Sequence, residues 1–171
     1  MLPGIRIAAL VAALLLAAGI GGTASAHSVK AGTLELSDLW TRATPPKAPT
    51  AGGYLTITNT GTEPDRLIGA ASPMAGLGEL HEMSVKDSIM TMRPVGGGVE
   101  IPAGASVTLA PGGLHIMFMS PKAPFVDGNK VPVELTFEKA GKVETFLHVM
   151  GIGAPGPGGE KAGAHEHGAT K

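Results

Sequence analysis

Glycine and proline cut this chain into short runs, and that interruption constrains its fold more than any other feature. Twenty-six glycines and fourteen prolines are spread through 171 residues. Proline removes a backbone donor and breaks helices, and glycine weakens any regular element it sits in. No window carries the apolar spacing of a long amphipathic helix. Alternating runs appear instead at residues 33–40, 53–59, 66–70, 79–85, 89–95, 99–101, 106–109, 114–119, 131–138 and 142–150. Turn-forming residues separate them, among them Pro45, Pro46 and Pro49, Gly96-Gly97-Gly98, Pro111-Gly112-Gly113 and Asp127-Gly128-Asn129. Many short strands at close spacing predict an all-β sandwich or small barrel, with the strand order left open.

The chain ends carry different signals. Arg6 precedes an apolar run from Ile7 to Ile20, and Ala24-Ser25-Ala26 follows as a small-residue cleavage sequence. This predicts an export signal at residues 1–26, cut before His27, with no membrane span left afterwards. A β-domain at residues 27–150 is expected next. From Gly151 the chain turns to Gly, Pro and scattered His, which predicts a flexible tail at residues 151–171. Net charge is −1, without a basic stripe, so nucleic acid is not an expected partner.

The chain contains no cysteine. Disulfides, thiolate zinc sites, a cysteine nucleophile, a lipid-modified cysteine and a blue-copper centre are excluded for these residues. A thiol-free metal protein suits an oxidising compartment outside the cytoplasm, where thiols are consumed.

Two stretches carry the remaining chemistry. In Leu114-His115-Ile116-Met117-Phe118-Met119, strand alternation puts His115, Met117 and Met119 on one face and Ile116 and Phe118 on the other. The first face offers an imidazole and thioethers, donors suited to Cu(I). The second stretch, from His81-Glu82-Met83 to Met90-Thr91-Met92, offers the same donors on a hairpin around Lys86-Asp87-Ser88. If Lys86 and Asp87 alone form the loop, His81 lies opposite Met92, and a longer loop shifts that pairing. Met83 and Met90 are the alternatives to Met92. Glu82 neighbours His81 and therefore points to the other face. Single Met or His residues in strands usually serve packing. Five of the eight methionines fall in these two stretches, each stretch with a histidine, and that coupling favours a metal site.

The spacing of these residues resembles the PCu(A)C family of periplasmic copper chaperones. His81, ten residues, Met92, twenty-two residues and then His115-Ile116-Met117 follow that family's pattern, with the second gap one residue longer than usual. Trp40-Thr41-Arg42-Ala43-Thr44-Pro45-Pro46, Gly53-Tyr54-Leu55-Thr56-Ile57, Leu80-His81-Glu82-Met83-Ser84 and Ile101-Pro102-Ala103-Gly104 are also similar. The resemblance implies a cupredoxin-like Greek-key β-sandwich or barrel. It implies Cu(I) bound by His81, Met92, His115 and Met117. It further implies delivery to the binuclear copper site of cytochrome c oxidase, with subunit II or another copper chaperone as recipient.

Other donors form a weaker set. His27 would head the mature chain, and His148, Met150, His165 and His167 lie at or beyond the domain's end. Together they are the candidates for a secondary, Cu(II)-preferring site. No nucleophile elbow, phosphate loop or His-Glu-x-x-His motif is present, so a binding protein is expected rather than an enzyme. The competing expectations are a periplasmic copper storage or resistance protein and a metal-free β-sandwich interaction domain.

Overall fold

The structure is a computed structural model and describes residues 28–157. The expected signal segment, His27, His165 and His167 lie outside the described residues. Those residues contain eleven strands and no helix, in agreement with the all-β expectation. None of them forms a helix long and apolar enough to cross a membrane.

The strands are β1 (Val29–Ala31), β2 (Leu34–Arg42), β3 (Thr50–Asn59), β4 (Asp65–Ala71), β5 (Leu77–Lys86) and β6 (Ile89–Pro94). They continue as β7 (Val99–Ile101), β8 (Ser106–Leu109), β9 (Leu114–Met119), β10 (Lys130–Phe137) and β11 (Gly141–Met150). One mixed sheet joins them in the order β6-β5-β9-β3-β2-β11-β10-β4-β7, with β1 on β2 and β8 on β3. All pairings are antiparallel except β11 on β2. The sheet curls back on itself where β4 meets β5. There Gly78 lies against the Ala70 carbonyl, a contact that leaves no room for a side chain.

The period-two pattern has its expected consequence. Val131, Val133, Leu135 and Phe137 of β10 point inward, as do Val143, Leu147 and Val149 of β11. Leu36, Ile57, Leu67, Ile101, Ile116, Phe118 and Leu135 lose all solvent contact. β2 keeps its inward face only by changing phase. Leu34 and Leu36 are buried before, and Leu39 and Thr41 after, an irregularity between Ser37 and Trp40. One extra residue is accommodated there, and Asp38 takes a left-handed backbone (φ 50°), which Asp tolerates better than most residues.

Two polar anchors hold the ends. Asp65 accepts the backbone N–H groups of Arg66 (2.7 Å), Lys139 (2.9 Å) and Ala140 (3.0 Å), which fastens the β10–β11 turn to β4. Burial pushes this carboxyl up, but the three donors outweigh burial and hold it below the usual range. Past Met150, residues 151–157 lie along β2. The Arg42 Nε–H donates to the Ala154 carbonyl (2.9 Å), and Gly156 packs on the Trp40 ring.

Candidate metal centre

β5, β9 and β3 are neighbours in the sheet, and their register decides which donors share a face. His81 pairs directly with His115, Glu79 with Met117, and Leu77 with Met119. On the other side of β9, Gly52 pairs with Met117. The alternation read for residues 114–119 holds: Ile116 and Phe118 are fully buried in the core, while His115, Met117 and Met119 share the opposite face.

The hairpin register differs from the one weighed first. The loop is Asp87-Ser88, not Lys86-Asp87, and Lys86 stays in the ladder opposite Ile89. Both loop residues have positive φ (51° and 64°), the mirror-image turn geometry that matches strand twist. His81 therefore faces Pro94, and Met92 faces Met83. Met92 still lies on the His81 face, now one diagonal step away, a separation long side chains bridge. The hairpin thus brings His81, Met83, Met90 and Met92 to one face.

The two imidazoles are buried (9% and 5% exposed), with ring centroids 6.0 Å apart. Their hydrogen bonds set their tautomers. The His81 Nε2–H donates to the Glu79 carboxylate (2.9 Å). That assignment leaves Nδ1 as the lone pair, and this buried atom has no hydrogen-bond partner. The His115 Nδ1–H donates to the Gly113 carbonyl (2.9 Å), which frees Nε2. A histidine fixed through one nitrogen and bare at the other is prepared to ligate a metal. Glu79 was missed in the sequence, although it stands two residues before His81 and strand alternation puts both on one face. Glu82, on the other face, pairs with Arg93 (2.8 Å).

Among the described residues no three His, Cys, Asp or Glu side chains converge on a metal position. The face that carries the two imidazoles also carries Met83, Met92 and Met117. Behind them stands an aromatic wall. Tyr54 packs on Trp40 with ring centroids 4.5 Å apart. Gly52 lies beneath the Tyr54 ring, where a side chain would collide with it. Burial pushes the Tyr54 phenol up despite the nearby Arg42, so it remains neutral. On the inner face a Cβ at Gly53 would come within 2.8 Å of Phe118. The Gly52-Gly53-Tyr54 sequence thus serves both faces of β3.

His148 and Met150 are not brought to this centre. They lie on β11, with β2 and β3 between them and β9. His148 pairs with Trp40 on one side and Lys130 on the other, and its ring meets the Phe146 edge at 5.1 Å. The Lys130 ammonium sits 4.0 Å over Phe146, an unfavourable neighbour for a divalent cation.

Comparison with known proteins agrees with this architecture. The family model described as "Putative lipoprotein LpqE-like" matches residues 34–149. A Leifsonia xyli subsp. xyli (strain CTCB07) protein named "Putative lipoprotein Lxx21020" is 36% identical over 132 residues, which span 74% of this chain and 78% of the relative. Among solved structures, the copper-bound PCuAC domain from PmoF2 superposes with a TM-score of 0.62 at 26% identity, covering 73% of this chain and 98% of that domain. The Cu(I) form of DR1885 from Deinococcus radiodurans gives 0.53 at 27% identity, covering 74% and 83%. Family match and shared cupredoxin-like fold together place the assignment: the chain belongs to the LpqE-like, or PCu(A)C, family.

Proposed function

We propose that this chain is an exported copper chaperone, which binds one Cu(I) through His81, Met92, His115 and Met117. The observation that carries the reading is the complementary pair of buried imidazoles, with His81 Nδ1 left bare and unpartnered on a face that also carries methionines. Neutral nitrogen and thioether sulfur favour Cu(I) over harder ions. The absence of thiolate keeps the bound ion exchangeable. Relatives point the same way, since structures with similar folds are described as copper-bound and Cu(I)-bound.

In this reading residues 1–26 direct export, residues 27–150 form the copper-binding unit, and the protein acts outside the cytoplasmic membrane. Its recipient is a copper-accepting protein, with the binuclear centre of cytochrome c oxidase subunit II as the first candidate and another copper chaperone as the second. The lipoprotein name belongs to the relatives. These 171 residues hold no cysteine to which a lipid could be attached. The chain works by binding and transfer rather than by catalysis. The positions of His148 and Met150 lend no support to a second, Cu(II)-preferring site, so the proposal is confined to Cu(I).

The test is competition for Cu(I) between residues 27–171 and a coloured Cu(I) chelator, beside the Met92→Leu/Met117→Leu double variant. One tight equivalent, weakened by more than about 100-fold in the variant, is the expected result, because these are direct donors and even their supporting residues are worth 10–100-fold. Equal and poor competition by both proteins would overturn the reading.

A further inference from the structure

The buried position of the two histidines raises a question of access. At 9% and 5% exposure, their rings offer little surface to a partner's ligands. The exposed donors are elsewhere, along the β5–β6 hairpin. Met90 is 64% and Met92 43% exposed, and Met83 is half-buried.

These three methionines share one face. Met83 stands directly opposite Met92, and Met90, opposite Val85, is two residues from Met92 on the same strand. Residues two apart on a strand are separated by about 7 Å, a gap that flexible methionine side chains can close around one ion. Within the hairpin the pairs on this face are His81–Pro94, Met83–Met92 and Val85–Met90, and the carboxylate nearest along it is Glu79, which is hydrogen-bonded to His81. The polar groups occupy the reverse face, where Glu82 pairs with Arg93 and Ser84 with Thr91. Packing does not explain thioethers at positions so open to water.

We propose that Met83, Met90 and Met92 form an outer, all-thioether Cu(I) site through which the ion reaches and leaves the buried histidines. This inference rests on the chaperone reading and extends it to the route of transfer. Met92 is the shared donor, opposite Met83 and diagonal to His81. On inward passage the bonds from copper to the Met83 and Met90 sulfurs break. Bonds to His81 Nδ1, His115 Nε2 and the Met117 sulfur form, and the Met92 bond persists. Copper stays in the +1 state, and no proton or electron moves. Three neutral sulfurs select Cu(I) and reject Zn(II) and Cu(II), so the arm also filters the cargo.

The experiment compares the full chain with Met83→Leu/Met90→Leu, a nearly volume-conserving change on an exposed face. Cu(I) exchange with a chelator is followed by stopped flow, affinity by competition, and each methionine by its methyl NMR signal. The expected variant keeps the wild-type affinity for the first equivalent within about twofold, yet loads and unloads at least about tenfold more slowly. In the wild type, the Met83 and Met90 methyl signals move or broaden while Cu(I) exchanges below one equivalent, when Met92 is still available to the outer site. Unchanged exchange rates together with unmoved Met83 and Met90 signals would overturn the outer site while leaving the chaperone reading intact. If those two signals move but His81 and His115 signals do not, the outer site stands and the inner ligand assignment falls. If no methionine or histidine signal moves, both fall.

Discussion

Two long hairpins in this molecule use apolar residues in opposite ways. In the β10–β11 hairpin, alternate residues from Val131 to Phe137 are buried, as are Val143, Leu147 and Val149, and the turn is fastened to β4 by Asp65. In the β5–β6 hairpin, β6 is exposed along its whole length, with Ile89 65% and Met90 64% accessible, and Val85 at the end of β5 is 64% accessible. Its turn carries Asp87 and Ser88 in left-handed conformations. The first hairpin supplies stability through burial. The second presents side chains to its surroundings, and its methionines contribute donor chemistry there. Strand pairing alone does not distinguish them; what lies beyond each face does.

The largest effect that sharpens this contrast is expected in the core. Phe137→Ala should cost about 3–5 kcal/mol of unfolding free energy in denaturant titration, the usual range for a buried aromatic. Ile89→Ser, made on the other hairpin as the matched control, should change it by no more than about 0.5 kcal/mol. Comparable losses at both positions would erase the distinction. Next comes the donor side of β5. Glu79→Ala removes the group that orients His81, and Cu(I) affinity measured by chelator competition should fall about 10–100-fold without loss of fold. Unchanged affinity would show that His81 needs no such support.

The smallest effect concerns the anchored turn and depends on pH. Asp65 titrates below its ordinary value when folded, so its contribution is fully present above about pH 4 and is lost as pH falls through the folded value. Asp65→Asn cannot accept all three backbone donors equally well and should cost on the order of 1 kcal/mol at neutral pH. Thermal unfolding of the variant should also lose part of the wild type's decline below pH 4. Parallel pH curves for the two proteins would remove Asp65 as the anchor.

The sequence disclosed the strands because alternation and turn residues are local signals. It disclosed the donor face of β9 for the same reason, since His115, Met117 and Met119 need only the period of two. Register across the β5–β6 turn was not legible. Lys86-Asp87-Ser88 lacks the Asn-Gly or Gly signal that fixes a two-residue loop, and only the backbone shows that Asp87 and Ser88 form it. The Glu79–His81 pair was within reach of the same period rule that set Glu82 aside. Strand order, the approach of Gly78 to Ala70 and the irregularity near Asp38 depend on distant chain segments, which leave no local mark.

That irregularity works like a phase shift in a printed pattern. Upstream of it, even-numbered residues of β2 face the core; downstream, odd-numbered ones do. A one-residue deletion at Asp38 would remove the extra residue and let β2 run in a single phase. Leu39 and Thr41 would still face the core, and Trp40 would still stand opposite Tyr54 in the wall behind the donor face. The irregularity is thus a joint at which β2, two strands away from β9, can lose a residue while the metal centre keeps its surroundings.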